Sequence, residues 1–492
     1  MTSKADHRMW TGKQAGLIGI AILLLAGFCF GQPTVSLSPK DGPPTTALRV
    51  SGSGFTPYAQ LDIYFDSQDQ ALAVADAAGA FNQVAIQAPK SAVPGAHWVS
   101  VIERSRHLAA QDRFQVSVDW TEYHTKDMRR WNPYENVLNV DNVGSLQQLW
   151  SYHTADYVYS SPAVVKGVVY IASFDGHVYA LDCGTGTKLG SYADHFRQSS
   201  PAFLNGVVYV GTYRGDVVAL SRTGGLLWDD SIGYEIESSP TIANGVVYIG
   251  SYCCDVYALD ARTGGLLWSY HTGAEVFSSP AVADGVVYVG SLDGNVYALD
   301  ANTGTKLWGY ATGGAVWSSP AVAYGAIYFG SYDHNVYALN AKTGALLWSY
   351  TTGWAIGSSP AVANGVVYIG SNDHYVYALD ARTGTQLWNY RTGAMEEGAS
   401  PTVANGVVYI GSEDHNMYAL NANTGTLLWS YQTGEMIVSS PAVVNGVVYV
   451  GSRDGNVYAF GLPKGMAPQP PKRPDPKTLR PDFSLKPVST TE

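Results

Sequence analysis

Between residues 160 and 460 short apolar runs alternate with breaks of one to three polar or glycine residues, and the alternation repeats. Each unit opens on Ser-Pro, passes through a run such as Val286-Val-Tyr-Val-Gly290, then Val-Tyr-Ala-Leu-Asp, and ends on Thr-Gly and Leu-Trp. Around Pro280 the pattern predicts four strands, Ser278–Ala283, Val286–Ser291, Asn295–Asp300 and Lys306–Tyr310, here A to D in order. The breaks Asp284-Gly285, Asp293-Gly294 and Asn302-Thr-Gly304 carry the residue types that tolerate positive φ in tight turns. Strand B is apolar almost throughout, as suits a strand covered on both faces. The Ser-Pro prolines are Pro162, Pro201, Pro240, Pro280, Pro320, Pro360, Pro401 and Pro441, 39 to 41 residues apart. A period near 40 with four strands per unit predicts an all-β chain whose main body is an eight-bladed β-propeller.

The fourth strand tells how the ring closes. Its Leu-Trp pair ends at Trp150, Trp228, Trp268, Trp308, Trp348, Trp388 and Trp429, and Leu189-Gly190 fills the one remaining position. The last unit stops at Tyr458-Ala-Phe-Gly461 with no Leu-Trp of its own, while Trp150 precedes the first Ser-Pro. The strand at Trp150 is therefore expected to complete the final blade, leaving no free edge.

Outside the repeat the pattern changes. Residues 32–118 alternate apolar segments (Leu48–Val50, Leu61–Phe65, Phe81–Ile86, Trp98–Ile102, Phe114–Val118) with turn clusters such as Asp41-Gly-Pro-Pro44, predicting a small antiparallel sandwich. Residues 119–148 form a lead-in, 149–462 the propeller, and 463–492 a tail that is Pro-rich and basic. Such a composition reads as disordered or extended. Residues 1–31 read as a secretory signal. Lys4, His7, Arg8 and Lys13 precede the apolar run Ala15–Phe30, and Gly31 stands before Gln32. The run is shorter than the ~20 residues of a bilayer span, so the mature chain is expected to carry none. The expected location is the periplasm or the cell surface. An uncleaved N-terminal anchor is the alternative.

Charge and cysteine content narrow the function. The formal charge is −11, which argues against nucleic acid, whose binding needs clustered Lys and Arg. Removing the signal leaves Cys183, Cys253 and Cys254, too few for a disulfide framework. Cys253-Cys254 fills the B–C turn slot that reads Asp293-Gly294 in the next blade. A turn substitution is the expected role; the alternative is a strained vicinal disulfide, since adjacent α-carbons lie only ~3.8 Å apart.

Two resemblances bear on function. Leu48-Arg-Val-Ser-Gly-Ser-Gly-Phe-Thr-Pro57, Asp76-Ala-Ala-Gly-Ala-Phe81 and Pro94-Gly95 resemble Ig-like modules of bacterial surface proteins, which space or present other domains. Ala298-Leu-Asp-Ala-Asn-Thr-Gly-Thr-Lys-Leu-Trp308 resembles the tryptophan-docking motif of quinoprotein-type, pyrroloquinoline-quinone-like propellers, and Arg130-Trp-Asn-Pro-Tyr-Glu-Asn136 resembles their lead-in. The resemblance implies that each Leu-Trp indole lies over the Thr-Gly turn of a neighbouring blade. Gly190 is then expected to leave one seat empty. It implies two functions: a dehydrogenase using pyrroloquinoline quinone and Ca²⁺, or a platform like the outer-membrane assembly factor of the same fold.

Dehydrogenases of this kind carry long insertions over the cofactor, and no repeat here departs from 40 residues by more than one. The reading is therefore an exported, non-catalytic binding or scaffolding propeller for a protein or cell-envelope partner. No catalytic residue, no metal ligand and no resident cofactor are assigned. The A–B and C–D turns share a monotonous face. The B–C turns and D–A connections share the variable one, where loops on a rigid scaffold carry function. Candidate partner-binding residues there are Tyr159, Glu235, Glu237, Glu275, Trp317, Trp354, Glu396 and Glu397, with Trp317 and Trp354 also raising glycan binding. Asp333-His334, Asp373-His374 and Asp414-His415 recur on successive blades ~10 Å apart, too far to share an ion, so tight turns are expected.

Overall fold

The computed structural model describes residues 32–125, 128–394 and 398–488. The signal expected at residues 1–31 and the candidates Glu396 and Glu397 lie outside them. Among the described residues the repeat forms eight antiparallel sheets, each running A-B-C-D from the inside outward. In the fourth blade the strands are Ala281–Ala283, Val286–Gly290, Asn295–Asp300 and Lys306–Ala311. Strand A is short because the Ser-Pro before it donates no amide to a ladder. The last blade is completed from the other end of the sequence: Gln147–His153 pairs antiparallel with Asn456–Gly461.

Neighbouring blades share their cores. Val, Leu and Ala from two consecutive sheets pack as one buried cluster, with an indole at its outer end. The Trp308 indole covers the turn at Gly344, where an added Cβ would sit 2.7 Å from the ring, and Nε1 donates to Ala341 O at 3.1 Å. Trp150, Trp228, Trp268, Trp348 and Trp388 make the same contacts with the next blade. Trp429 has no Thr-Gly turn to meet, and its Nε1 donates instead to Leu146 O, at 3.0 Å, just ahead of the closing strand.

Gly190 does not leave a vacant seat. The backbone of its strand moves in toward the neighbouring turn, so that an added Cβ would lie 2.8 Å from Thr223 O. The space left is about 10 Å³, at the lower limit for one water.

Residues 34–116 form a sandwich of two sheets around one core, including Leu48, Val50, Ile63, Val99 and Phe114. Composition argues for a disordered or extended tail, and the structure packs Ala467 on the propeller and lays residues 470–488 along this sandwich. Leu479 is buried against Tyr64 and Ile102, Arg473 covers the Trp98 ring at 4.6 Å, and Val488 N donates to Leu72 O at 2.8 Å. A segment that cannot build its own core can still be ordered on a sheet that supplies one.

Candidate functional site

The innermost strands face an axial channel, and the lead-in closes one end of it. The described residues between 120 and 132 meet the blades in order. Trp120 exchanges backbone bonds with Val164, Thr121 O accepts from Phe203 N, and Glu122 Oε2 accepts from Ile242 N. The His124 ring lies 3.3 Å from Ser279 O, the carbonyls of Met128, Arg129 and Arg130 accept from Val322, Val362 and Val403, and Asn132 donates to Val443 O. The inward edges of the A strands are thus satisfied by a segment without periodicity of its own. Arg130 is fully buried, donates to the carbonyls of Tyr123, Ser400 and Pro401, and lies over the Tyr123 ring at 4.4 Å. Burial pushes the Glu122 carboxyl up to about 8 and, helped by Arg130, the His124 imidazole down to about 3.

Above this plug lies a closed ring of serines, the residues before each repeat proline. Each backbone N–H donates to the serine Oγ of the next blade: Ser161 to Ser200, then Ser239, Ser279, Ser319, Ser359, Ser400, Ser440 and back to Ser161, at 2.8–3.0 Å. The Tyr123 hydroxyl reaches up to Ser400 Oγ at 2.9 Å. The channel is therefore a blind pocket of about 410 Å³, floored by serines and Tyr123 and open on the variable face.

Its walls are unequal. Tyr252, Phe277, Trp317 and Tyr332 form a continuous aromatic row, with Phe277 and Trp317 stacked at 4.5 Å and Trp317 and Tyr332 at 5.7 Å. Glu237 lies beside it, and the Gln198 side-chain nitrogen donates to its Oε1 at 2.9 Å. Burial and the neighbouring Glu235 push the Glu237 carboxyl up to about 7, against Arg197 and a Tyr252 hydrogen bond. On another wall Arg453 covers the rings of Tyr157 and Tyr159 at 5.1 and 5.3 Å, next to Glu413.

Of the sequence candidates, Tyr159, Glu237 and Trp317 line this pocket. Glu235 and Glu275 stand behind it on the same face, their carbonyls accepting from Tyr252 and Leu292. Trp354 is exposed and stacks on His334 at 5.5 Å, away from Trp317, so the two indoles do not form one platform. Sequence reasoning missed Tyr123, Gln198, Glu413, Arg453 and the serine ring. The signals were the Ser before every repeat proline and the variable residue in the Ser-x-Asp of six of the eight B–C turns, which is Glu413 or Arg453 in the last two blades.

His334, His374 and His415 take φ of 73, 74 and 73° where Gly294 has 83°, as tight-turn residues do. Cys254 takes 70° at the same position, and both thiols of the pair are free. Cys253 occupies the place of Asp293: its Sγ lies 3.2 Å from the Tyr257 hydroxyl, where Asp293 Oδ2 accepts from Tyr297 at 2.6 Å.

This is the class of molecule known as a quinoprotein-like β-propeller. The chain belongs to the family described as "Outer membrane protein assembly factor BamB", matched over residues 145–254, 223–353, 311–398 and 393–466. No curated protein sequence matches it. Among solved structures it is similar to BamB from Moraxella catarrhalis (21% identity, 64% of this chain and 100% of that one, TM-score 0.58). It is also similar to a europium-containing methanol dehydrogenase (15% identity, 70% and 98%, TM-score 0.61). A third is quinohemoprotein alcohol dehydrogenase ADHIIG from Pseudomonas putida HK5 (18% identity, 74% and 82%, TM-score 0.62). These likenesses establish the shared fold.

The resemblance of the repeat motif to quinoprotein-type propellers raises the quinone and calcium. Calcium takes six to eight oxygen ligands. Among the described residues no three His, Cys, Asp or Glu side chains converge on one point, and every serine oxygen of the floor already accepts an amide. Nor does an Asp line the pocket as a base.

Proposed function

We propose that this chain is an exported, non-catalytic propeller that holds a protein or cell-envelope partner on its variable face. The observation carrying this reading is the blind axial pocket, whose floor is a self-satisfied hydrogen-bond ring and whose differences between blades are gathered at the mouth. Such a site can position a ligand, and among the described residues it brings together no set of three His, Cys, Asp or Glu side chains to hold a metal. The sandwich and its strapped tail serve as a spacer beside the ring. Export is supported by the basic start and apolar run of residues 1–31.

The test is to mix the purified protein with pyrroloquinoline quinone and Ca²⁺, then assay cofactor retention and dye-linked alcohol oxidation. Neither is expected. Stoichiometric retention with turnover overturns the scaffold reading in favour of a dehydrogenase. A photo-cross-linking residue at Glu275, on the pocket side, should trap an envelope protein that the same residue at the outer-rim Leu347 does not.

A further inference from the structure

The pocket mouth has an electrostatic sign. Glu235, Glu237, Glu275, Glu413 and Glu435 lie on or behind the variable face, and the chain carries a net −11. Arg453 sits beside Glu413 and is held by the Tyr157 and Tyr159 rings. Arg197 is packed on the Tyr213 ring at 3.5 Å. Glu413 is thus matched by Arg453, while Glu237 faces the pocket hydrogen-bonded by an amide and a phenol, with Arg197 acting on it only through space. A carboxylate half-buried in that way is not neutralised by a direct ion pair.

From this we infer that the pocket takes one cationic side chain, arginine or lysine, presented on a polypeptide partner. The inference rests on the binding reading above. The dimensions suit it. An arginine or lysine stem can lie along the apolar wall of Phe277 and Trp317 while its charged head reaches Glu237, the division that long basic side chains adopt at apolar surfaces. Donors of the head meet serine oxygens of the floor that, away from Tyr123, keep a second lone pair. An acidic mouth also attracts such a group and repels acidic competitors.

Titration of Glu237 supports the same assignment. The groups that face it are Glu235, Arg197, Gln198 and Tyr252. With its carboxyl near 7, the charged form rises about tenfold between pH 6 and pH 8, and a cation should bind more tightly by about that factor.

The experiment is calorimetric titration of the purified protein with the acetylated, amidated pentapeptide Gly-Ser-Arg-Ser-Gly and its central-Gln counterpart, at pH 6 and pH 8. The arginine peptide should bind at least tenfold more tightly than the glutamine peptide at pH 8, and about tenfold more weakly at pH 6. Glu237→Gln should abolish both differences, and Trp317→Ala should weaken the arginine peptide without changing its pH dependence. Equal affinity for the two peptides, or unchanged discrimination in Glu237→Gln, overturns the inference while leaving peptide capture standing. Binding of neither peptide at millimolar concentration also overturns it, and the quinone experiment then judges the binding reading by itself.

Discussion

At the residue scale the plug concentrates buried ionisable groups whose shifts have opposite signs. Glu122 is lifted to about 8 by burial, so between the ordinary carboxylate value and about pH 8 the folded protein holds a proton that the unfolded chain has released. Stability is highest below that window and falls as pH rises through it. His124, lowered to about 3, acts on the acid side: its contribution is lost as pH falls below the ordinary imidazole value. Glu122→Gln keeps the acceptor for Ile242 N and should flatten only the alkaline limb, raising the stability at pH 9 by an amount on the order of a few kcal/mol. Differential scanning calorimetry across pH 5–9 checks this; an unchanged alkaline limb would sink it. A second prediction concerns the strand B tyrosines. Tyr368 donates to Ala422 O at 3.1 Å, whereas the buried Tyr409 hydroxyl has no partner. Tyr368→Phe should cost about 1 kcal/mol and Tyr409→Phe nothing or less, measured by denaturant unfolding.

At the scale of the element, the repeat made strands, turns and closure legible. Each is a local rule written eight times: Gly or Asn at a positive-φ turn, an apolar strand B, and a final Leu-Trp missing from the last unit. The pocket was legible only in outline. Tyr159, Glu237 and Trp317 could be placed on the right face because the D–A connections vary. The plug could not, since its contacts join residues up to 311 positions apart without periodicity. Gly190 shows the limit of pattern completion. The repeat suggests that Trp belongs there, yet the neighbouring backbone has closed the space to 2.8 Å from a Cβ. Gly190→Trp should therefore destabilise by about 1–3 kcal/mol through overpacking, although it restores the consensus. An increase in thermal midpoint would show that the seat is open after all.

For the whole molecule, the sandwich and propeller are separate cores joined through the lead-in, and the tail belongs to the first of them. Composition reads the tail as disordered or extended, and its extended path follows surface it borrows: Trp98, Tyr64 and the edge at Leu72. Deleting residues 463–492 should lower the stability of the sandwich while leaving the propeller transition in place. Hydrogen exchange resolves the two, with faster exchange expected over Gln60–Val74 and unchanged protection in strand B of the blades. Loss of protection around the ring would refute this division.

The closing strand also sets a schedule. Gln147–His153 is made early and Asn456–Gly461 late, so roughly 300 residues must be synthesised before the two can pair, on the order of tens of seconds at bacterial rates. Throughout that interval one strand waits with its edge exposed and the blades between have no circle to complete. The ring therefore cannot lock until its final residues emerge.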